Sequence, residues 1–155
     1  MERTARLSDC GHYRYALGRR WGAGARAVFV MLNPSTADAE RDDPTIRRCI
    51  GFAARWGFGA LTVVNLYSWR ATRPADLRRA RDPVGPGGDE AIERATLGAA
   101  LVVAAWGAHG DWRGRGAQVA SRLSDPHALG LTRSGAPRHP LYVRKDARPQ
   151  PWGMP

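Results

Sequence analysis

The feature that most constrains this chain is a set of apolar runs without polar alternation. Residues 27–32 read AVFVML, residues 101–106 read LVVAAW, and ALTVVNLYSW at 60–69 is broken only by Thr62, Asn65 and Ser68. A strand with one wet face alternates apolar and polar residues. Runs like these are instead buried on both faces, as in a parallel sheet covered by helices on either side. The first run stops at Asn33-Pro34-Ser35. Pro34 has no backbone donor and restricts the residue before it, so the strand ends there.

Between the runs the period changes to that of helices. DPTIRRCIGFAARWG at 43–57 carries helix punctuation. Asp43 is placed as N-cap, Pro44 at the first helical position and Gly57 at the end. Ile46, Cys49, Ile50 and Ala53 share one face, and Arg47, Arg48 and Arg55 point elsewhere. Residues 89–100 and 118–123 are predicted helical, and a short strand is expected near 128–132. The segment RATRPADLRRARDPVGPGGDE is a loop with one helical turn at most, because of its Pro and Gly content. Strands alternating with helices predict an α/β fold: three layers, α/β/α, around a central, mostly parallel four-stranded sheet with right-handed crossovers. The length fits a single domain over residues 1–155, with 1–25 as an N-terminal extension and 147–155 as an irregular tail.

In open parallel sheets, ligands bind beyond the carboxyl ends of the strands. Asn33 follows the first strand, Asn65 ends the second, Trp106 and Gly107 follow the third, and His139 follows the fourth. These residues, far apart in sequence, are expected at one edge of the sheet. Each has a plainer reading. Asn33-Pro34 is also a common strand-ending turn, His139 in HPLY is also an ordinary loop histidine, and a buried Asn65 could bond only backbone. Asp38, Asp42 and Asp43 cluster near a strand end, where Asp43 already caps a helix and solvation explains the other two.

Charge narrows the partner. Lys+Arg number 24 against 14 Asp+Glu, a formal net charge of +10. That excess favours polyanions, with nucleic acid foremost. Two isolated cysteines, Cys10 and Cys49, supply neither a disulfide framework nor a zinc or iron–sulfur site. No run approaches the ~20 apolar residues of a membrane span, and MERTARLSDC lacks a signal-peptide core, so a cytoplasmic protein is expected. Walker-type phosphate loops, G-x-G-x-x-G and G-x-S-x-G are all missing, and the histidines lack metal-ligand spacing.

Taken together, the strings match a pattern. FVMLNPS resembles the first motif of the uracil-DNA glycosylase superfamily, especially its mismatch-specific and single-strand-selective branches, where a strand runs into an Asn-Pro-Gly turn. VVNLYSWRATRP is similar to that superfamily's second strand, which ends in asparagine before an Arg-Pro loop. LVVAAWGAHG resembles its third strand and Gly-Ala turn, and HPLY its C-terminal His-Pro-Ser motif. Order and spacing agree over roughly residues 26 to 145. The chain also resembles a small bacterial family, without an assigned function, carrying MLNPSTAD, DDPT, NLY, WG and G-x-P-x-HPLY. It departs from the glycosylase pattern at Leu32 and Ser35, where glycines stand, and at Leu141, where serine stands.

The resemblance implies a DNA glycosylase-like hydrolase that cleaves the N-glycosidic bond of a damaged, deaminated or modified base flipped from DNA. Asn33 would hold the water through its amide oxygen, and His139 would donate to the base oxygen where charge grows. Asn65 would read the base edge, with Pro34, Ser35, Trp106 and Gly107 around the base. Leu141 or Tyr142 would fill the vacated stack. Arg70, Arg73, Arg138, Arg144 and Lys145 would contact nucleic acid. No cofactor or metal is required, and a monomer acting on single- or double-stranded DNA is expected. The alternatives are a nucleoside or nucleotide N-glycoside hydrolase, and a non-catalytic nucleic-acid-binding protein on the same scaffold.

Overall fold

A computed structural model describes residues 1–153. Two strands, β1 (Glu2–Leu7) and β2 (Arg14–Arg20), form an antiparallel hairpin. They are followed by β3 (Arg26–Met31), α1 (Pro44–Arg55), β4 (Ala60–Asn65), the short α2 (Pro74–Arg78), α3 (Gly88–Thr96) and β5 (Leu101–Ala104). A kinked 3-10 segment, Ala108–Gly114, enters α4 (Arg115–Ala120), and β6 (His127–Ala128), a 3-10 turn at Pro140–Tyr142 and β7 (Gln150–Pro151) complete the chain.

One sheet holds all the strands, in the order β1-β2-β4-β3-β5-β6-β7. β4, β3, β5 and β6 run parallel in its middle, while β1 on β2, β2 on β4 and β7 on β6 are antiparallel. The sheet is therefore mixed and seven-stranded, which corrects the expected four strands in a mostly parallel arrangement. The three added strands carry no continuous apolar run. β1 and β2 are arginine-rich, and β7 is two exposed residues. Residues 1–25 thus extend the sheet rather than precede it, and part of the expected irregular tail pairs at its far edge. The helices also begin and end differently from expectation, at Gly88–Thr96 and Arg115–Ala120, and the last parallel strand shrinks to His127–Ala128.

The apolar runs bury both faces as expected. Val28, Val30, Val64, Val102 and Ala104 join a cluster with Leu77 of α2, Ile92 of α3 and Val119 of α4. Their alternate neighbours Phe29, Met31, Val63, Val103 and Ala105 join Ile46, Cys49 and Phe52 of α1 on the other face. Each large side chain so buried contributes roughly 1.5–3 kcal/mol relative to exposure. The Asp43 cap is present: its Oδ1 accepts from the Ile46 N–H at 2.9 Å, and Pro44 opens the helix.

Register aligns the strand exits. Met31 pairs with Asn65, and Val30 pairs with both Val64 and Ala104. The polar residues that follow these positions therefore leave the sheet at one edge. No helix among the described residues is long and apolar enough to cross a membrane.

Candidate functional site

A cleft of about 580 Å³ opens at that edge. Asn33, Pro34, Ser35, Asn65, Trp106, Gly107, Arg138, His139, Leu141 and Tyr142 all line it. The sequence expectation that residues from four strand ends converge is met by the geometry. Leu141 and Tyr142 lie at its mouth, 39% and 77% exposed.

Asn33 takes the structural reading given to it, a turn that ends the strand. Its Nδ2 donates to the Ala71 carbonyl at 2.8 Å and to the Pro34 carbonyl at 3.1 Å, while the Ala71 N–H donates to Pro34 O at 2.9 Å. The amide thus stitches the exit of β3 to that of β4. Both amide hydrogens are used structurally, which leaves Oδ1 as the group available to a ligand or water.

Asn65 does not take the plainer reading. It is 3% exposed, and its Oδ1 is buried without a hydrogen-bond partner. Buried side-chain oxygens are nearly always satisfied, so an orphan lining a cleft needs an explanation.

His139 arrives through a tight excursion after β6, held by Thr132 N–H to Ala136 O at 2.8 Å and Arg138 N–H to Gly130 O at 2.9 Å. The Gly107 N–H donates to Pro137 O at 2.8 Å, joining this excursion to the exit of β5. Gly107 sits at φ +76, where a glycine is favoured. The His139 Nδ1 accepts from the Leu141 N–H at 3.1 Å. Because a backbone N–H can only donate, the neutral ring carries its proton on Nε2. Burial holds this imidazole below its usual range, with Asp43 opposing. His139 is therefore a neutral Nε2 donor at physiological pH. Trp106 walls the cleft from the β5 side, and a Cβ at Gly110 or Gly116 would collide with its indole.

The arginines divide. Arg138 lines the cleft with its Nε on Leu131 O at 2.9 Å. Arg70 lies off the cleft and braces the β3 exit through Nε to Ser35 O at 3.2 Å. Arg73 stands exposed before α2. Arg144 pairs with Asp146 at 3.2 Å. Lys145 lines a second, adjoining groove of about 290 Å³ together with Arg47, Arg48, Arg55 and Leu141. None of these four cations pairs with a carboxylate among the described residues.

Sequence reading missed Arg14. It lines the cleft at 2% exposure, donates Nη1 to Ala37 O at 3.0 Å, and has no partner for Nε. Burial pulls its guanidinium down to about 10, with Asp43 opposing. A bulge puts it there. The β1–β2 register skips Tyr15, passing from Ala16 to Arg14, and the extra residue turns Arg14 to the face of Leu17. Tyr15 lies against Gly87, and Ala16 packs with the opposite cluster. The only sequence signal was a cation framed by Tyr13 and Tyr15 in a strand-like segment.

The three acids of the loop are each accounted for. Asp38 Oδ1 accepts from the N–H groups of Glu40 and Arg41 at 2.8 Å, Asp42 pairs with Arg19 at 2.7 Å, and Asp43 caps α1 while lining the cleft. No group of three or more His, Cys, Asp or Glu with metal-binding placement occurs among the described residues.

A family model described as protein of unknown function (DUF1643) matches residues 14–141, and the chain belongs to that family. No curated protein and no solved structure matches the chain.

Proposed function

We propose that this member of the DUF1643 family hydrolyses the N-glycosidic bond of a base flipped out of DNA into the cleft. The observation that carries the reading is the meeting of Asn33, Asn65 and His139 in one cleft at the carboxyl edge of the parallel strands. Its volume of about 580 Å³ suits a small ligand. When the glycosidic bond breaks, its electron pair passes to the departing base and the sugar becomes oxocarbenium-like. Asn33 Oδ1 orients the water that adds to the sugar carbon, and the proton this water sheds passes to the departed, anionic base. The His139 Nε2–H donates to the base as negative charge develops there, and a neutral donor serves without first being protonated. Asn65 supplies an acceptor for a base N–H.

The unpaired cations beside the cleft support a nucleic-acid substrate. Arg47, Arg48, Arg55 and Lys145 share the groove that Leu141 separates from the cleft, a fitting place for phosphates flanking an extruded nucleotide. The test is a panel of single- and double-stranded oligonucleotides carrying uracil, hypoxanthine, xanthine or modified pyrimidines, scored for abasic sites. Abasic sites that form far more slowly with His139→Ala are expected. Turnover of free nucleosides alone would assign the cleft to small substrates, and binding without any turnover would assign it to recognition without chemistry.

A further inference from the structure

Two buried polar atoms of the cleft side chains lack protein partners, and they are of opposite kind. Asn65 Oδ1 is an acceptor, and the Arg14 Nε–H is a donor. The third such atom among the described residues, Arg115 Nη2, belongs to a guanidinium already paired with Asp89 at 2.7 Å and bonded to Leu66 O at 2.8 Å. Arg14 has no such pairing: it makes one hydrogen bond, to Ala37 O, and no ion pair with any described carboxylate. A buried cation left this way is unfavourable in the empty protein and favours whatever brings it an acceptor. The bulge at Tyr15 is what turns it toward the cleft face.

We propose that Arg14 and Asn65 form the recognition floor for the lactam edge of a heterocyclic base, a ring N–H beside a carbonyl oxygen. Asn65 Oδ1 accepts from the N–H, and Arg14 Nε donates to the carbonyl. This rests on the base-excision reading of the cleft and narrows it to bases that carry such an edge, as uracil, hypoxanthine and xanthine do and adenine does not. The guanidinium's charge decides against adenine. As the glycosidic bond breaks, the pair arriving on a lactam base spreads to its carbonyl oxygen, beside a fixed cation. Adenine presents a ring nitrogen and an amino group, with no oxygen to carry that charge.

Calorimetric titration with free xanthine, uracil, adenine and inorganic phosphate tests the floor without requiring turnover. Xanthine and uracil are expected to bind, and xanthine to bind more tightly as rising pH ionises it. Arg14→Met is expected to lose about 10- to 100-fold in affinity for both, the loss of a charged hydrogen bond. Arg14→Lys keeps the charge without the Nε donor, so it should retain the pH dependence and lose only part of the affinity. Should Arg14→Met fail to fold, the wild-type selectivity and the Arg14→Lys titration decide the matter. Adenine or phosphate binding as tightly as xanthine, or affinity unchanged in a folded Arg14→Met, overturns the proposal. Arg14-dependent base binding without abasic sites in oligonucleotides would sink base excision and leave this floor standing. Excision that ignores Arg14 would do the reverse.

Discussion

β2 buries an arginine near each end, and the two are treated in opposite ways. Arg14 and Arg19 are both 2% exposed. Arg19 has every donor engaged: Nε pairs with Asp42 at 2.7 Å, Nη1 donates to Gly18 O at 2.8 Å and Thr4 O at 3.3 Å, and Nη2 donates to the carbonyls of Asp38 and Arg41. Arg14 makes one bond and leaves Nε unmet. The same residue type, on the same strand and at the same depth, is structural cement at one end and an unsatisfied group at the other. Satisfaction of donors, rather than burial or charge, separates a residue that holds the fold from one that waits for a ligand.

The largest expected effect breaks this contrast directly. Arg19→Met strands Asp42 and removes a donor from four carbonyls, two of them in the loop, and removing one partner of a buried, hydrogen-bonded pair costs about 3–5 kcal/mol. Arg14→Met gives up one hydrogen bond and relieves a buried charge, so its stability should stay within about 1 kcal/mol of wild type. Urea denaturation of the two variants checks this. Equal losses would show that Arg14 is structural too.

Next comes His139, which holds both conditions in one ring: Nδ1 is engaged by the Leu141 N–H, while Nε2–H has no partner among the described residues. His139→Ala should slow base excision ~100- to 1000-fold, the worth of a preorganised donor to a developing anion. Thermal stability and DNA affinity should change little. His139→Gln, which keeps a donor, should recover part of the rate. A folded, DNA-binding His139→Ala with full activity would remove the histidine from the mechanism.

The same ring sets a pH dependence. Its folded pKa lies below the ordinary imidazole range because burial disfavours the cation. Between the folded and unfolded pKa values the unfolded chain binds more protons, so stability rises with pH there. The His139 contribution is therefore present above about 6.5, the ordinary imidazole value, and is lost as pH falls below it toward the folded pKa. In His139→Gln the drop in melting temperature between neutral and mildly acidic buffer should be smaller than in wild type. An unchanged drop would show that the imidazole titrates normally.

The contrast on β2 also explains what the sequence could show. Residues 27–32 and 101–106 declared buried parallel strands because burial on both faces leaves no polar alternation, and Asp43-Pro44 marked a helix start through chemistry confined to adjacent residues. Asn33, Asn65, Trp106, Gly107 and His139 could be placed together because strand direction fixes which ends share an edge. The β1–β2 hairpin was hidden. Its strands RTARL and RYALGRR mix arginines with apolar residues, and the buried charge of Arg19 is met by long-range partners, Thr4 and Asp42, that no local pattern reveals. Arg14 was hidden more deeply still, since a one-residue bulge decides its face. The tail was legible only as irregular, because β7 is two residues long and Trp152 is held by an N–H bond to Pro126 O at 2.8 Å and packing on Trp106.

The smallest expected effect sets two neighbours against each other on the surface. Arg144 is paired with Asp146 at 3.2 Å, whereas Lys145, beside it, lines the groove with Arg47, Arg48 and Arg55 and has no carboxylate partner among the described residues. If the groove carries phosphates, each of its free cations releases condensed counterions when DNA binds, and the logarithm of affinity falls with the logarithm of salt. Removing one such contact should flatten the slope by about 0.9 for a duplex or 0.7 for a single strand. Lys145→Gln, Arg47→Gln and Arg55→Gln should each do so, and in combination they should add, since each meets a separate phosphate. Arg144→Gln should leave the slope unchanged, because a cation already neutralised by Asp146 displaces few counterions. Measured by fluorescence anisotropy over a salt series, on an oligonucleotide without a target base, the effect is independent of any chemistry in the cleft. A slope altered equally at Arg144 and Lys145 would show that overall positive charge, and not this groove, governs binding.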